Sequence, residues 1–424
     1  MRQVEPGDLA IVNARVVTPP GFGVRRGFAM RELMVLDGAT VVVRGGRVER
    51  VAAGEVGDGA RVIDAAGRVL MPGFVDCHTH ACFAGSRLDE WERKLRGESY
   101  LEILKSGGGI MSTVRAVRGT GEEELRELTR TRLERMLALG STTVEVKSGY
   151  GLSTAAELKM LRATRAAASG FAGTVVQTAM LGHAIDEAAG GREAFIERTI
   201  GETLPAVHAE FPGVAVDAFC ESGAWTLEET TRLLRAAVEL GHPIRVHADQ
   251  FNSLGMVEAA IGLGARSVDH LEASTAGTLG ALANSPTATP TPATLGVGLP
   301  CCGVHMTGRG GAGAMYADLR SLVDLGGACA IATNFNPGSS PCFSMAAAMG
   351  AAVRCCGLSC AEAITAGTVN GAAVLGLVDR GAIVAGARAD LVLLRCRDER
   401  EVCFEFGSDV VDVVVAGGRV VRGG

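Results

Sequence analysis

Long apolar runs are missing from this 424-residue chain. Stretches such as Met345 to Val353 fall far short of the roughly 20 residues a membrane-spanning helix needs, which argues against a membrane partner. No cluster of Lys and Arg forms a phosphate-binding stripe, and the net charge is −6. Both features argue against a nucleic-acid partner. Residues Met1 to Gly7 lack the apolar core of a signal peptide, so the expected location is cytoplasmic. The twelve cysteines form no C-x-x-C knuckle; they are scattered and include the adjacent pairs Cys301–Cys302 and Cys355–Cys356. That pattern points to buried thiols acting as small hydrophobes, with no disulfides. No G-x-G-x-x-G follows a candidate strand. Gly107-Gly108-Gly109 lacks the Lys and the spacing of a phosphate loop and reads as a turn.

What is present, 47% hydrophobic and 21% charged residues, fits a globular protein with one large domain and a smaller one. Residues 34 to 52 are short β-branched runs broken by Asp37-Gly38 and Gly45-Gly46, both hairpin signals. The phrase Val42-Val43-Arg44-Gly45-Gly46-Arg47-Val48 returns as Val414-Val415-Ala416-Gly417-Gly418-Arg419-Val420. Such turns are common in unrelated hairpins. The echo nevertheless favours one small β-domain made of residues 1–70 and 380–424, with Ala389 to Leu393 as a further strand.

Residues 71–379 alternate short apolar strands with helical segments, the pattern of βα units and a parallel sheet. Candidate strands lie near 74–78, 142–146, 174–181, 213–219, 243–246, 266–269, 294–299 and 328–333. Capping boxes at Thr120/Glu123, Thr154/Glu157, Thr226/Glu229 and Ser359/Glu362 mark helix starts. After the first, Leu125, Leu128, Met136 and Leu137 share one helical face and Gly140 can end the helix. Eight units over roughly 260 residues match a (β/α)8 barrel. A doubly wound open sheet is the alternative. Residues 284 to 313 are rich in Pro, Thr and Gly, poor strand material that reads as a long mobile loop over the site.

The stretch V-D-C-H-T-H-A-C-F-A-G-S-R (75–87) opens as a strand and puts His78 and His80 on one face, Cys77 and Thr79 on the other. Two polar residues closing a strand would explain that pair alone. A barrel carries its chemistry at the C-terminal ends of its strands. There stand His78 and His80 after strand one, Lys147 to Tyr150 after two and His183 after three. Glu221 follows strand four, His247 five, His270 six and Asn334 eight. Five of the eight histidines on one rim point to a metal-centred site; His208, His242 and His305 fall elsewhere and suit structural roles. His78, His80 and His247 can hold one cation with positions left for water and substrate, an arrangement that lowers the pKa of bound water. His270 can polarise a scissile carbonyl or shuttle a proton. Arg87 offers a planar fork to a substrate carboxylate.

These motifs resemble the amidohydrolase superfamily and, within it, the imidazolonepropionases. The resemblance rests on V-D-C-H-T-H (75–80) with G-S-R (85–87), E-V-K-S-G-Y-G-L (145–152), H-A-D-Q (247–250), V-D-H-L (268–271) and N-F-N-P-G-S-S-P (334–341). The first motif marks the superfamily; the second and last are more specific. The resemblance implies a (β/α)8 TIM-like barrel with a β-sandwich from both chain ends, acting as a homodimer. It implies opening of 4-imidazolone-5-propanoate to N-formimino-L-glutamate in histidine degradation, with one zinc or iron ion. His78, His80 and His247 would be metal ligands. Arg87, Tyr150, His183 and Gln250 would hold the substrate, and Asn336, Gly338 and Ser339 would contact it. His270 would be the catalytic histidine, and Gln250 stands where members carry Glu or Gln.

Position 334 departs from the family, which carries Asp as the first residue of D-F-N-P-G, reaching the metal and taking the proton from the attacking water. Asn334 can offer a carbonyl oxygen to a metal but cannot serve as a base. Losing a general base costs ~10²- to 10⁴-fold in rate. Three readings stay open: an inactivated variant, slow turnover through His270, or another reaction on the same scaffold. The last would be deamination or cyclisation of another heterocycle, and the Pro/Gly-rich 284–313 segment, also unlike the family, adds to it. An inactive ligand-binding homologue is the non-enzymatic alternative.

Overall fold

The computed structural model describes residues 8–52, 60–98, 102, 107–286, 293–306 and 316–423. Eight strands form a parallel sheet in chain order: β6 (Phe74–Asp76), β7 (Ser141–Lys147), β8 (Thr174–Gly182), β9 (Ala215–Cys220), β10 (Arg245–Ala248), β11 (Ser267–His270), β12 (Leu295–Gly298) and β13 (Cys329–Ile331). The sheet curls until its outer strands meet. Just beyond β6 and β13, Thr79 bridges Phe335 in parallel, and His80 N–H donates to the Phe335 carbonyl at 2.9 Å. That contact nearly closes a (β/α)8 barrel. All eight expected strands are present, including the seventh, so the Pro/Gly-rich segment supplies a strand as well as loop. Residues 287–292 and 307–313 of it, on which the expected long loop over the site falls, lie outside the described residues.

The two chain ends make a second, mixed sheet of eight strands: β1 (Leu9–Thr18), β2 (Met34–Arg44), β3 (Arg47–Ala52), β4 (Arg61–Asp64), β5 (Val69–Pro72), β14 (Leu391–Leu394), β15 (Val411–Ala416) and β16 (Arg419–Arg422). Along one edge β1 pairs first with β4 and then with β5, the switch falling at Asn13, which has φ 53°. The sheet thereby folds over one core that includes Ile11, Val41, Val43, Leu391, Leu393 and Val415. The two echoed hairpin turns pack against each other. A side-chain carbon at Gly418 would lie 2.8 Å from the Gly46 Cα, so the repeat of Gly-Gly is a packing requirement.

Two local expectations fail. Asp37-Gly38 is no hairpin turn; β2 runs through it with a bulge, and Asp37 instead pairs with Arg15 at 2.7 Å. Of the four capping boxes, those at Thr226 and Ser359 form. The helix Glu122–Ala138 is capped by Gly121 backbone and three first-turn glutamates facing the helix dipole, without a Thr120 side-chain bond. The helix Thr154–Ser169 starts after Ser153, because Glu157 is turned away to another task.

Candidate metal centre and active site

The barrel interior beneath the rim is charged. Strand alternation sends Glu145 and Lys147 of β7, Asp217 of β9, Arg245 of β10 and Asp269 of β11 inward, all buried. Lys147 Nζ donates to Glu145 and Asp217, each at 2.7 Å; Arg245 donates to Glu145 at 3.0 Å and Asp269 at 2.7 Å. Among these five side chains, three carboxylates face two cations. Burial would raise the Asp217 carboxyl, but His247 and Lys147 hold it well below the usual range.

On this floor sit the histidines. His78 and His80 lie just past β6, where the chain stays extended, so they keep a common face. His78 Nδ1 contacts Asp269 at 2.6 Å and His247 Nδ1 contacts Asp217 at 3.1 Å. A carboxylate only accepts, so both rings carry the proton on Nδ1 and turn Nε2 to the centre. His80 Nε2 lies 3.4 Å from His247 Nε2. Two nitrogens held at about 2.0–2.1 Å by one tetrahedral cation stand about 3.4 Å apart. The donor atoms of His78, His80 and His247 all fall within 4.8 Å of one another. Buried His78 Nε2 and Asn334 Oδ1 have no hydrogen-bond partner among the described residues. The donor set therefore fits a metal ion.

Burial favours neutral rings. Burial, then Lys147, pushes His78 far below the ordinary histidine range; burial, then His183, does the same to His80. His247 is lowered by burial despite Asp217, and His183 falls to about 3 through burial and the nearby His247. Neutral imidazoles are what a metal requires.

The other expected residues surround this cluster. Tyr150 and His183 stand 5.9 and 4.9 Å from the His80 ring, His183 being fixed by a 3.0 Å contact with the Gly149 carbonyl. His270 ends β11, its ring 5.4 Å from that of His247. Gln250 Nε2 reaches the Cys302 thiol at 3.8 Å. Asn334, with φ 53° and 2% exposure, donates its N–H to the His78 carbonyl at 3.1 Å. Asn336 is spent on its own loop: its amide bonds the Asn334 carbonyl, and its oxygen accepts from Gly338 and Ser339 N–H at 2.8 and 2.7 Å. Arg87 is not a free fork. Its Nε and Nη2 are held by Glu90 at 3.0 and 2.7 Å, while Nη1 faces Gly338.

Several members of the site went unread in the sequence. Glu145, Asp217, Arg245 and Asp269 carried a signal, charges at inward positions of otherwise apolar buried strands. The spacing from Thr154 predicts a capping role for Glu157; instead it accepts from the N–H groups of Gly149, Gly151 and Leu152 at 2.7–2.8 Å and shapes the loop after β7. Glu90, Glu272 and Cys302 gave no signal. His208 and His242 pair with each other at 3.1 Å, and His305 stacks on Trp91, in keeping with structural roles. All twelve cysteines are free, and no helix among the described residues is long and apolar enough to cross a membrane.

Residues 69–421 match the model of the amidohydrolase family. The chain is 44% identical over 405 residues to an imidazolonepropionase of Deinococcus radiodurans, covering 95% of this chain and 96% of that one. It is 42% identical over 430 residues to an imidazolonepropionase of Herpetosiphon aurantiacus, covering 98% and 97%. Among solved structures, the 5-methylcytosine deaminase of Klebsiella pneumoniae matches with TM-score 0.72 at 18% identity, over 98% of this chain and 97% of that one. A zinc-bound adenosine deaminase of Xanthomonas campestris matches with TM-score 0.69 at 17% identity, over 99% and 94%, a likeness of fold. The chain belongs to the amidohydrolase family and, within it, to the imidazolonepropionases.

Proposed function

We propose that this chain opens the cyclic amide of 4-imidazolone-5-propanoate with water to give N-formimino-L-glutamate, a step of histidine degradation, as a cytoplasmic homodimer with one zinc or iron ion. The observation that carries this reading is the convergence of three buried histidines, their donor atoms within 4.8 Å, on a rim shared with His270 and Arg87. His78, His80 and His247 would hold the ion, and Asn334 Oδ1, buried and without a hydrogen-bond partner among the described residues, would be the further ligand. The ion supplies Lewis acidity when bound, polarising the amide carbonyl and easing ionisation of water.

The remaining work falls to side chains. Arg87 binds the propanoate through Nη1, the guanidinium nitrogen that Glu90 leaves toward Gly338 and the site. Tyr150 and His183, side by side next to His80, contact the ligand, and Gln250 orients the ring. Asn336 presents Gly338 and Ser339 to the ligand by fixing the loop that bears them. His270 accepts the proton of the attacking water and returns it to the departing ring nitrogen. Asn334 is neutral and takes no proton, so turnover runs ~10²- to 10⁴-fold below that of an Asn334→Asp protein.

Loss of the imidazolone is followed with the metal-loaded protein and with Asn334→Asp. Slow ring opening in the first and a large gain in the second is the expected result; no ring opening in either contradicts the substrate. Asn334 itself favours a second reading, hydrolysis or deamination of a different carboxylate-bearing heterocycle. Substrate profiling separates the two.

A further inference from the structure

Three histidine–carboxylate pairs line the rim: His78 with Asp269, His247 with Asp217, and His270 with Glu272 at 3.1 and 3.2 Å. In each the imidazole uses Nδ1, which leaves Nε2 for the centre. The first two belong to the cation cluster, and their carboxylates are shared with Arg245 and Lys147. The third is different. His270 stands outside the cation cluster, 6.1 Å from the ring of His78. Glu272 has His270 as its only hydrogen-bond partner among the described residues, and the two side chains are 6% and 4% exposed.

Withdrawing a carboxylate from water for one imidazole costs free energy that a purely structural pair need not spend. The backbone adds to that cost. His270 has φ 91° and Leu271 φ 73°, two successive non-glycine residues in the left-handed region. On a straight strand residues two apart sit about 6.6 Å from each other; this double turn folds Glu272 back onto His270. Strain concentrated there, at the rim and not in a surface loop, serves one contact.

We infer that Glu272 is the positioning residue of this site, holding His270 with its proton on Nδ1 and its Nε2 lone pair aimed at the substrate. The inference rests on the ring-opening reading above. With Asn334 neutral, His270–Glu272 is the one imidazole–carboxylate pair on the described rim outside the cation cluster. The water oxygen bonds to the carbonyl carbon while its proton passes to His270 Nε2. The ring C–N bond then breaks, and the same proton passes to the departing nitrogen. Glu272 holds the Nδ1 proton through both transfers.

Two measurements test this. Nitrogen-15 spectra of the His270 ring, assigned by its loss in His270→Gln, are compared between the parent protein and Glu272→Gln. A fixed Nδ1-protonated form that becomes a tautomer mixture in the variant supports the inference; an unchanged ring overturns it. With the imidazolone as substrate, Glu272→Gln lowers kcat ~10- to 100-fold at unchanged KM, and Glu272→Asp recovers part of the loss. Combined with Asn334→Asp, which brings back a carboxylate base, the effect of Glu272→Gln shrinks to within about twofold, the scatter of independent sites. Equal kcat losses in both backgrounds mark a structural role and overturn the inference. Absence of ring opening in the parent and in Asn334→Asp defeats the substrate reading instead, and the tautomer spectra then decide the role of Glu272 alone.

Discussion

Asn334→Asp changes one atom, and its effect should reverse sign with the metal. The amide is 2% exposed, its Oδ1 has no hydrogen-bond partner among the described residues, and its φ of 53° suits Asp as well as Asn. Without the ion, a new carboxylate would face neutral imidazoles. Lys147 and Arg245, the buried cations beneath the rim, are already outnumbered by Glu145, Asp217 and Asp269. The apo protein should therefore lose on the order of 3 kcal/mol. With a divalent ion the balance changes. At an effective dielectric near 20, a unit pair at about 4 Å is worth about 4 kcal/mol, and a double charge about 8 kcal/mol. Desolvation takes back roughly 5 kcal/mol, which leaves about 3 kcal/mol, or about 100-fold tighter binding. Thermal melts with and without metal, and chelator competition, measure both halves. The melting point should fall in the apo variant and rise in the loaded one. If neither stability nor metal affinity changes, Asn334 does not face the ion.

Other substitutions report on the supports of the site. Gly338→Ala places a side-chain carbon 2.1 Å from Arg87 Nη1, and Glu90 keeps the guanidinium from swinging aside. KM for the propanoate substrate should rise roughly 10-fold or more, while an analogue lacking the carboxylate should show little change; equal effects on both would remove Arg87 from carboxylate binding. Glu157→Gln leaves at least one of three loop N–H groups unmet and should cost ~1–3 kcal/mol in urea unfolding. Glu362 is buried, which raises its pKa, but Arg320, the Ser359 N–H and Arg31 outweigh this and set it at about 2. A depressed carboxyl contributes stability above its unfolded pKa that is lost as pH falls. Urea midpoints of the parent should therefore drop between about pH 5 and 2.5 more steeply than those of Glu362→Gln; parallel curves would contradict the assignment.

The barrel was legible because each strand is short, apolar and followed by a helix signal, and because its polar residues collect at one end. Even β12, set among prolines, formed, since Leu295 to Gly298 are buried between β11 and β13 whatever the flanking loops do. The echoed Gly-Gly turns were legible for a packing reason that shows only in the fold, where Gly46 and Gly418 lie against each other. Asp37-Gly38 misled because a bulge and a turn ask for the same residues. Glu157 misled because its spacing from Thr154 matched a capping box, while the loop after β7 offered it three better donors. The histidine cluster could be read from strand ends. The pairing of carboxylates with it could not, although Asp217 and Asp269 stood at legible inward positions: Asp217 meets His247 from the neighbouring strand, Asp269 meets His78 from across the barrel, and Glu272 meets His270 through a left-handed turn that no local pattern announces.

The central claim is a single cation among His78, His80 and His247. Elemental analysis of the purified protein, with X-ray absorption to identify the ligands, tests it most directly. About one zinc or iron per chain is expected, bound through imidazole nitrogens and lost in His80→Ala. A folded protein that takes up neither metal, or that keeps it without His80, rules the three-histidine centre out.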